Sequence, residues 1–208
     1  MGKKLLALLL CGALLVTVLA ACGAPEEKEV SAEQDSQPVE TEKEPDTGDA
    51  SLDNPRNQDG IGEKELLVVS FGTSYNDSRR LTIGAIENAM EEAFPEYAVR
   101  RGFTSQIIID HVKSRDNVAI DNVKQALDRA VENGVKTLVI QPTHLMDGLE
   151  YHELVDEVAQ YSDAFEHLAI GKPLLTSEAD FQAVEQAITE ATAEYDDGKT
   201  AICFMGHG

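Results

Sequence analysis

Histidines, hydroxyls that follow apolar runs and a few arginines are the residues of this 208-residue chain whose types and places could do chemistry. His207 stands between Gly206 and Gly208. Flanking glycines let a backbone approach a bulky ligand and leave the ring free to face a cleft. A neutral imidazole near pH 7 serves as a general base or a metal ligand; on spacing alone, His207 is equally an ordinary loop histidine. His144 follows an apolar run that ends at Gln141. His144, His152 and Glu153 match no standard zinc spacing, so a capping or supporting role suits them better. His111 and His167 fall on solvated surfaces. Phe71-Gly72-Thr73-Ser74 lacks the glycine density and the lysine of a phosphate loop, and nucleotide use has no support.

Such residues need elements that bring them together. Glu65–Ser70 is a short apolar run suited to a buried strand, and apolar residues from Leu81 to Ala93 recur at helical spacing up to Pro95. The pattern predicts a strand over 97–103, a helix over 105–113 and a helix capped by Asp121 that ends near Asn133-Gly134. It continues with a strand over 135–141, a helix over 149–161, a weaker strand over 167–170, a helix from Ser177 and a last strand over 200–205. This alternation predicts an α/β fold, a parallel sheet flanked by helices on both faces. Ligands of such sheets sit beyond the carboxyl ends of the strands. The candidates are therefore Thr73, Ser74, Thr104, Ser105, His144 and His207.

The chain opens differently. Lys3 and Lys4 precede an apolar run from Leu5 to Ala20, too short for a spanning helix and suited to a secretory signal. The run ends in Leu19-Ala20-Ala21-Cys22, which resembles the lipobox of bacterial lipoproteins; the alternative is an ordinary cleaved signal with an incidental Cys22. Residues 23–64 follow as an acidic, proline-bearing stretch without an aromatic, expected to be a disordered tether that holds a domain clear of a membrane. The expected organisation is a signal over 1–22, a tether over 23–64 and an α/β unit over 65–208. The expected location is the outer face of a bacterial membrane, at the cell surface or in the periplasm, with a lipid on Cys22.

A net charge of −21 excludes a general nucleic-acid binder, because phosphate contacts need a cationic surface. Three cysteines exclude a disulfide scaffold. With Cys11 removed in the signal and Cys22 lipidated, Cys203 is the remaining thiol. At the other end, Gly208 follows an apolar strand and a Gly-His-Gly loop, much as LLVVSFGTS opens the α/β unit. The expectation is a second similar half cut short; a natural strand edge is the alternative.

Motifs spread over the α/β unit carry a resemblance. They are Ser70-Phe71-Gly72-Thr73-Ser74-Tyr75, Arg101-Gly102-Phe103-Thr104-Ser105, Ser114-Arg115-Asp116, Gln141 with His144, Gly148-Leu149-Glu150-Tyr151, Pro173-Leu174-Leu175 and Phe204-Met205-Gly206-His207-Gly208. In this order, over about Glu65 to Gly208, they resemble the anaerobic sirohydrochlorin cobaltochelatases of the CbiK type. The resemblance implies a class II chelatase fold, two similar α/β halves with a tetrapyrrole between them, of which this chain holds the first and the start of the second. It implies insertion of Co²⁺, or Fe²⁺, into sirohydrochlorin without a nucleotide. It makes His207 the catalytic histidine, a proton acceptor and metal ligand. The family's further ligands, a glutamate and a second histidine, come from the second half, so the fragment alone is expected to be inactive.

The α/β unit is itself acidic and the implied substrate is a polycarboxylate, so a local cation is needed. Arg101 is the first choice, since arginine pairs bidentately with carboxylates, and Arg101→Ala is expected to raise the apparent KM. Arg79 and Arg80 come second. Export sets the chain apart from cytoplasmic chelatases and leaves two functions open. One is a membrane-anchored chelatase. The other is a non-catalytic lipoprotein that binds a metal or tetrapyrrole for uptake. A homo-oligomer is compatible with either.

Overall fold

β1 (Lys64–Ser70) is the axis of the fold, with six consecutive buried residues after Lys64. The computed structural model describes residues 45–204; Cys22 and His207, with the expected signal and the first part of the expected tether, lie outside the described residues. β1 pairs in parallel with β2 (Ala98–Phe103) on one side and β3 (Thr137–Pro142) on the other, and β3 pairs with β4 (His167–Ile170). The order is β2-β1-β3-β4. The chain thus leaves β1 towards one edge and returns to β3 on the other side, which places a crevice between the carboxyl ends of β1 and β3.

Side-chain alternation along the strands sorts the core into two faces. Leu67, Val69, Leu138 and Ile140 meet Val123, Ala126, Leu127 and Ala130 of α4 (Val123–Glu132) and Leu154 and Val158 of α5 (Leu149–Ala159). On the other face Leu66, Val68 and Val99 pack against Met90 of α2 (Gly84–Ala93). Phe103 packs with Ile109 and Val112 of α3 (Gln106–Asp116). Between β1 and α2 lie a short α1 (Asn76–Ser78) and a π-helical turn, Arg79–Ile83. The last helix, α6 (Glu178–Thr192), has no buried residue, and Val139 stays half-buried, so helices cover the second face less fully than the first.

Three expectations change here. Asn122, not Asp121, caps α4: its side chain accepts from the Gln125 amide while Gln125 reaches back to the Asn122 amide. Residues 201–204 form no strand and are exposed. The packed unit also starts well before Glu65 and takes in the described residues 45–63. Residues 45–63 are a strap, with a 3-10 turn at Ala50–Leu52 and with Asp53 and Arg56 buried. The strap is held by charge rather than by apolar area, which is why its composition reads as a tether.

Candidate functional site

All four strands run the same way, so their carboxyl ends form one rim. Backbone bonds lace its loops together. The Thr104 amide donates to the Ser70 carbonyl at 2.9 Å, the Ser105 amide to the Phe71 carbonyl at 3.2 Å and the Thr143 amide to the Val69 carbonyl at 2.9 Å. Farther along, the Leu174 amide donates to the His144 carbonyl at 2.9 Å. Thr73, Ser74, Thr104, Ser105 and His144 therefore stand on one rim, as expected. Gly72 makes the first loop possible: its φ is +103°, and a Cβ there would lie 2.5 Å from the Phe103 ring.

His144 on the third rim loop is largely buried, with 8% of its side chain exposed. Neither ring nitrogen has a protein hydrogen-bond partner, and Glu150 Oε2 lies 3.8 Å from Nε2. Burial lowers its pKa, against the opposing pull of Glu150, so the ring is held neutral. Thr104 Oγ1 is likewise buried without a partner and lines a cleft of about 350 Å³ with Gln106, Asn122, Lys124 and Glu150. His152 instead pairs with Asp147 at 3.1 Å on the surface. Among the described residues no group of three His, Cys, Asp or Glu side chains can hold a metal ion.

Arg101 does not face the rim. Only 1% exposed, it donates Nε and Nη2 to Glu87 at 2.7 and 2.6 Å, and Nη1 and Nη2 to Asp53 at 2.7 and 3.1 Å. Burial works against its charge, but the two carboxylates outweigh burial and leave its pKa raised. Arg79 is also buried and donates Nε to Asp53 at 2.6 Å. Arg101 is a structural ion-pair residue, and substrate contact by it is withdrawn. The exposed cations on this rim are Lys124, beside the cleft, and Lys172, just after β4.

A second buried cluster joins β1 to β2. Asp121 accepts from Arg100 at 3.1 Å and from Arg129 at 2.7 Å. Glu65 nearby is fully buried, and neither of its oxygens has a protein hydrogen-bond partner. Burial pushes its carboxyl up to about 7, with Arg100 opposing. An unfolded glutamate titrates near ~4.3. Between those values the folded chain holds a proton that the unfolded chain has released, so stability falls as pH rises through this window and levels off above it. Glu65→Gln removes that slope. The melting temperature of the variant, relative to the parent, is expected to rise between about pH 5 and about pH 8. A constant difference would show that Glu65 ionises ordinarily.

Sequence reasoning missed the apolar character of the rim. Phe71, Tyr75, Ile107, Leu145, Met146 and Leu149 are exposed, Ile107 at 83% and Leu149 at 74%. A signal was present: Leu145-Met146 stands in a turn, before Asp147-Gly148, with no element of its own to bury it.

Comparison with known proteins agrees with this geometry. Residues 64–208 match the family model described as cobalt chelatase (CbiK). The chain is 37% identical over 146 residues to the sirohydrochlorin cobaltochelatase of Salmonella typhimurium strain LT2, covering 70% of this chain and 55% of that protein. It is 28% identical over 162 residues to the sirohydrochlorin cobaltochelatase CbiKC of Nitratidesulfovibrio vulgaris strain Hildenborough, covering 76% of this chain and 57% of that one. The chain thus spans just over half the length of these relatives. A family match over most of the chain, on a parallel α/β sheet whose rim gathers the motif residues, shows that it belongs to the cobalt chelatase (CbiK) family.

Proposed function

We propose that the protein is a sirohydrochlorin cobaltochelatase, a lyase that inserts Co²⁺ into the tetrapyrrole for cobalamin biosynthesis. The observation that carries this reading is the apolar rim over the crevice between β1 and β3. A flat macrocycle buries its faces against such a surface, while its carboxylates stay at the polar margin. Phe71, Leu145, Met146 and Leu149 supply the platform, and Thr73, Ser74, Thr104 and Ser105 supply hydrogen bonds at its edge. Lys124 and Lys172 are the cations within reach of substrate carboxylates.

His207 is the proton acceptor and a ligand of the entering metal in this reading. Two pyrrole N–H protons must leave as the divalent ion enters, and a neutral imidazole takes a proton near physiological pH. Imidazole also binds Co²⁺ yet releases it to a better chelator such as the macrocycle. His144, neutral and with no hydrogen-bond partner for its ring, is a substrate contact on the rim of the described strands. Fe²⁺ is a second acceptable metal, and the reaction needs no nucleotide. The signal and Cys22 support an exported domain, lipid-anchored on the outer face of a bacterial membrane; no helix among the described residues is long and apolar enough to cross one.

The test is anaerobic mixing of the full-length protein with sirohydrochlorin and Co²⁺, followed by the absorption bands of the metallated product. A protein-dependent rate well above the spontaneous one is expected. Tight tetrapyrrole binding with no acceleration would instead identify an uptake protein.

A further inference from the structure

We propose that the strap over residues 45–56, which lies outside the family-matched segment, is a positioning element for the first rim loop and fixes where Thr73 and Ser74 sit. This inference rests on the chelatase reading for the meaning of that loop.

Two routes connect strap and loop. The direct route is a pair of hydrogen bonds: the Asp77 amide donates to the Thr47 carbonyl at 2.9 Å, and Asn76 Nδ2 donates to the Gly48 carbonyl at 3.0 Å. The indirect route runs through Arg79. Asp53 holds its Nε at 2.6 Å, while Nη1 donates to the Thr73 carbonyl at 3.2 Å and Nη2 to Asn76 Oδ1 at 2.6 Å. Asn76 and Arg79 are 2% and 0% exposed, so these bonds are shielded from competing water. Arg79 also opens the π-helical turn, an irregularity frequent at functional sites. A loop fixed in advance spares the ligand the entropy of ordering it, which appears as affinity.

Gly48 offers a way to break the direct route without touching the buried ion pairs. Its φ is +89°, and an added Cβ would lie 2.4 Å from Asp77 Cγ, so Gly48→Ala must displace either the Asp77 carboxylate or the strap, and Asp53→Asn cuts the indirect route as the complementary variant. Gly62 has the same φ of +89° with nothing within 4 Å, so Gly62→Ala carries the backbone strain without the collision. Amide hydrogen exchange over residues 73–80 and the Kd for metal-free sirohydrochlorin are measured on the full-length protein. In Gly48→Ala, exchange is expected to be roughly tenfold faster and binding roughly tenfold weaker, with both near parental in Gly62→Ala. Adding Asp77→Ala to Gly48→Ala removes the colliding atoms and should restore both readouts.

Unchanged exchange in both Gly48→Ala and Asp53→Asn would overturn the clamp. Faster exchange with unaltered affinity would overturn its role in the site, and equal effects in Gly62→Ala would reduce it to backbone strain. Loss of the chelatase reading shows separately, as absence of binding by the parent, and it removes the substrate role of the loop with it.

Discussion

Arg101→Ala is expected to cost the protein its fold rather than its grip on a substrate. The substitution leaves Glu87, fully buried, and Asp53, 8% exposed, without the four hydrogen bonds that Arg101 supplies. Breaking a buried ion pair by removing one partner costs about 3–5 kcal/mol. Domains have about 5–15 kcal/mol in hand, and the vacated volume adds a cavity penalty. Arg56 and Arg79 remain beside the carboxylates but cannot reproduce the fork, because each already has its own geometry to satisfy. Denaturant unfolding should therefore show a large loss of stability or no cooperative transition. Arg101→Lys keeps the charge without the planar fork and is expected to fall between. An Arg101→Ala protein with the parental melting temperature and only a raised KM would return Arg101 to the substrate site.

The second large effect concerns His207. In the full-length protein, His207→Ala is expected to lower cobalt insertion by ~10²–10⁴-fold, the usual contribution of a positioned acid or base. Tetrapyrrole affinity should change little if, as proposed, the apolar rim supplies it. The residual activity should also lose the pH dependence that comes from a titrating imidazole. Parental turnover in the variant would assign the proton transfer elsewhere, and His144 would be the next histidine to replace. Parallel loss of affinity and turnover would instead mean that the loop carrying His207 shapes the pocket.

Local pattern was enough to place β1 and α5: β1 is a continuous apolar run buried on both faces, and the apolar residues of α5 recur at helical spacing. The cap of α4 was misassigned to Asp121, although the sequence held the signal for Asn122. Counting three residues on from Asn122 reaches Gln125, which can return the bond, whereas counting from Asp121 reaches Lys124, which cannot accept from an amide. Arg101 was not legible. It lies two residues before Phe103 in a strand whose last five residues are all buried, and its partner Asp53 is 48 positions upstream. No local pattern links a strand arginine to an aspartate in a segment that reads as solvated spacer. Residues 200–205 failed in the opposite sense: a strand-like apolar run forms a strand only where a neighbour offers its backbone, and residues 201–204 pair with no strand among the described residues. At the site, the threonine and serine candidates followed from their place after strands, while the exposed apolar rim needed coordinates to be seen.

The ion network beneath β2 also says what constitutes the smallest autonomous piece of this protein. A chain beginning at Lys64 would retain every strand, every α-helix and nearly all of the apolar core of the described residues. It would lose Asp53 and Arg56, leaving Arg79 without its carboxylate and Arg101 with Glu87 alone in a water-excluded space. The boundary of the folding unit is set by the pairing of buried charges, not by the first residue of the sheet.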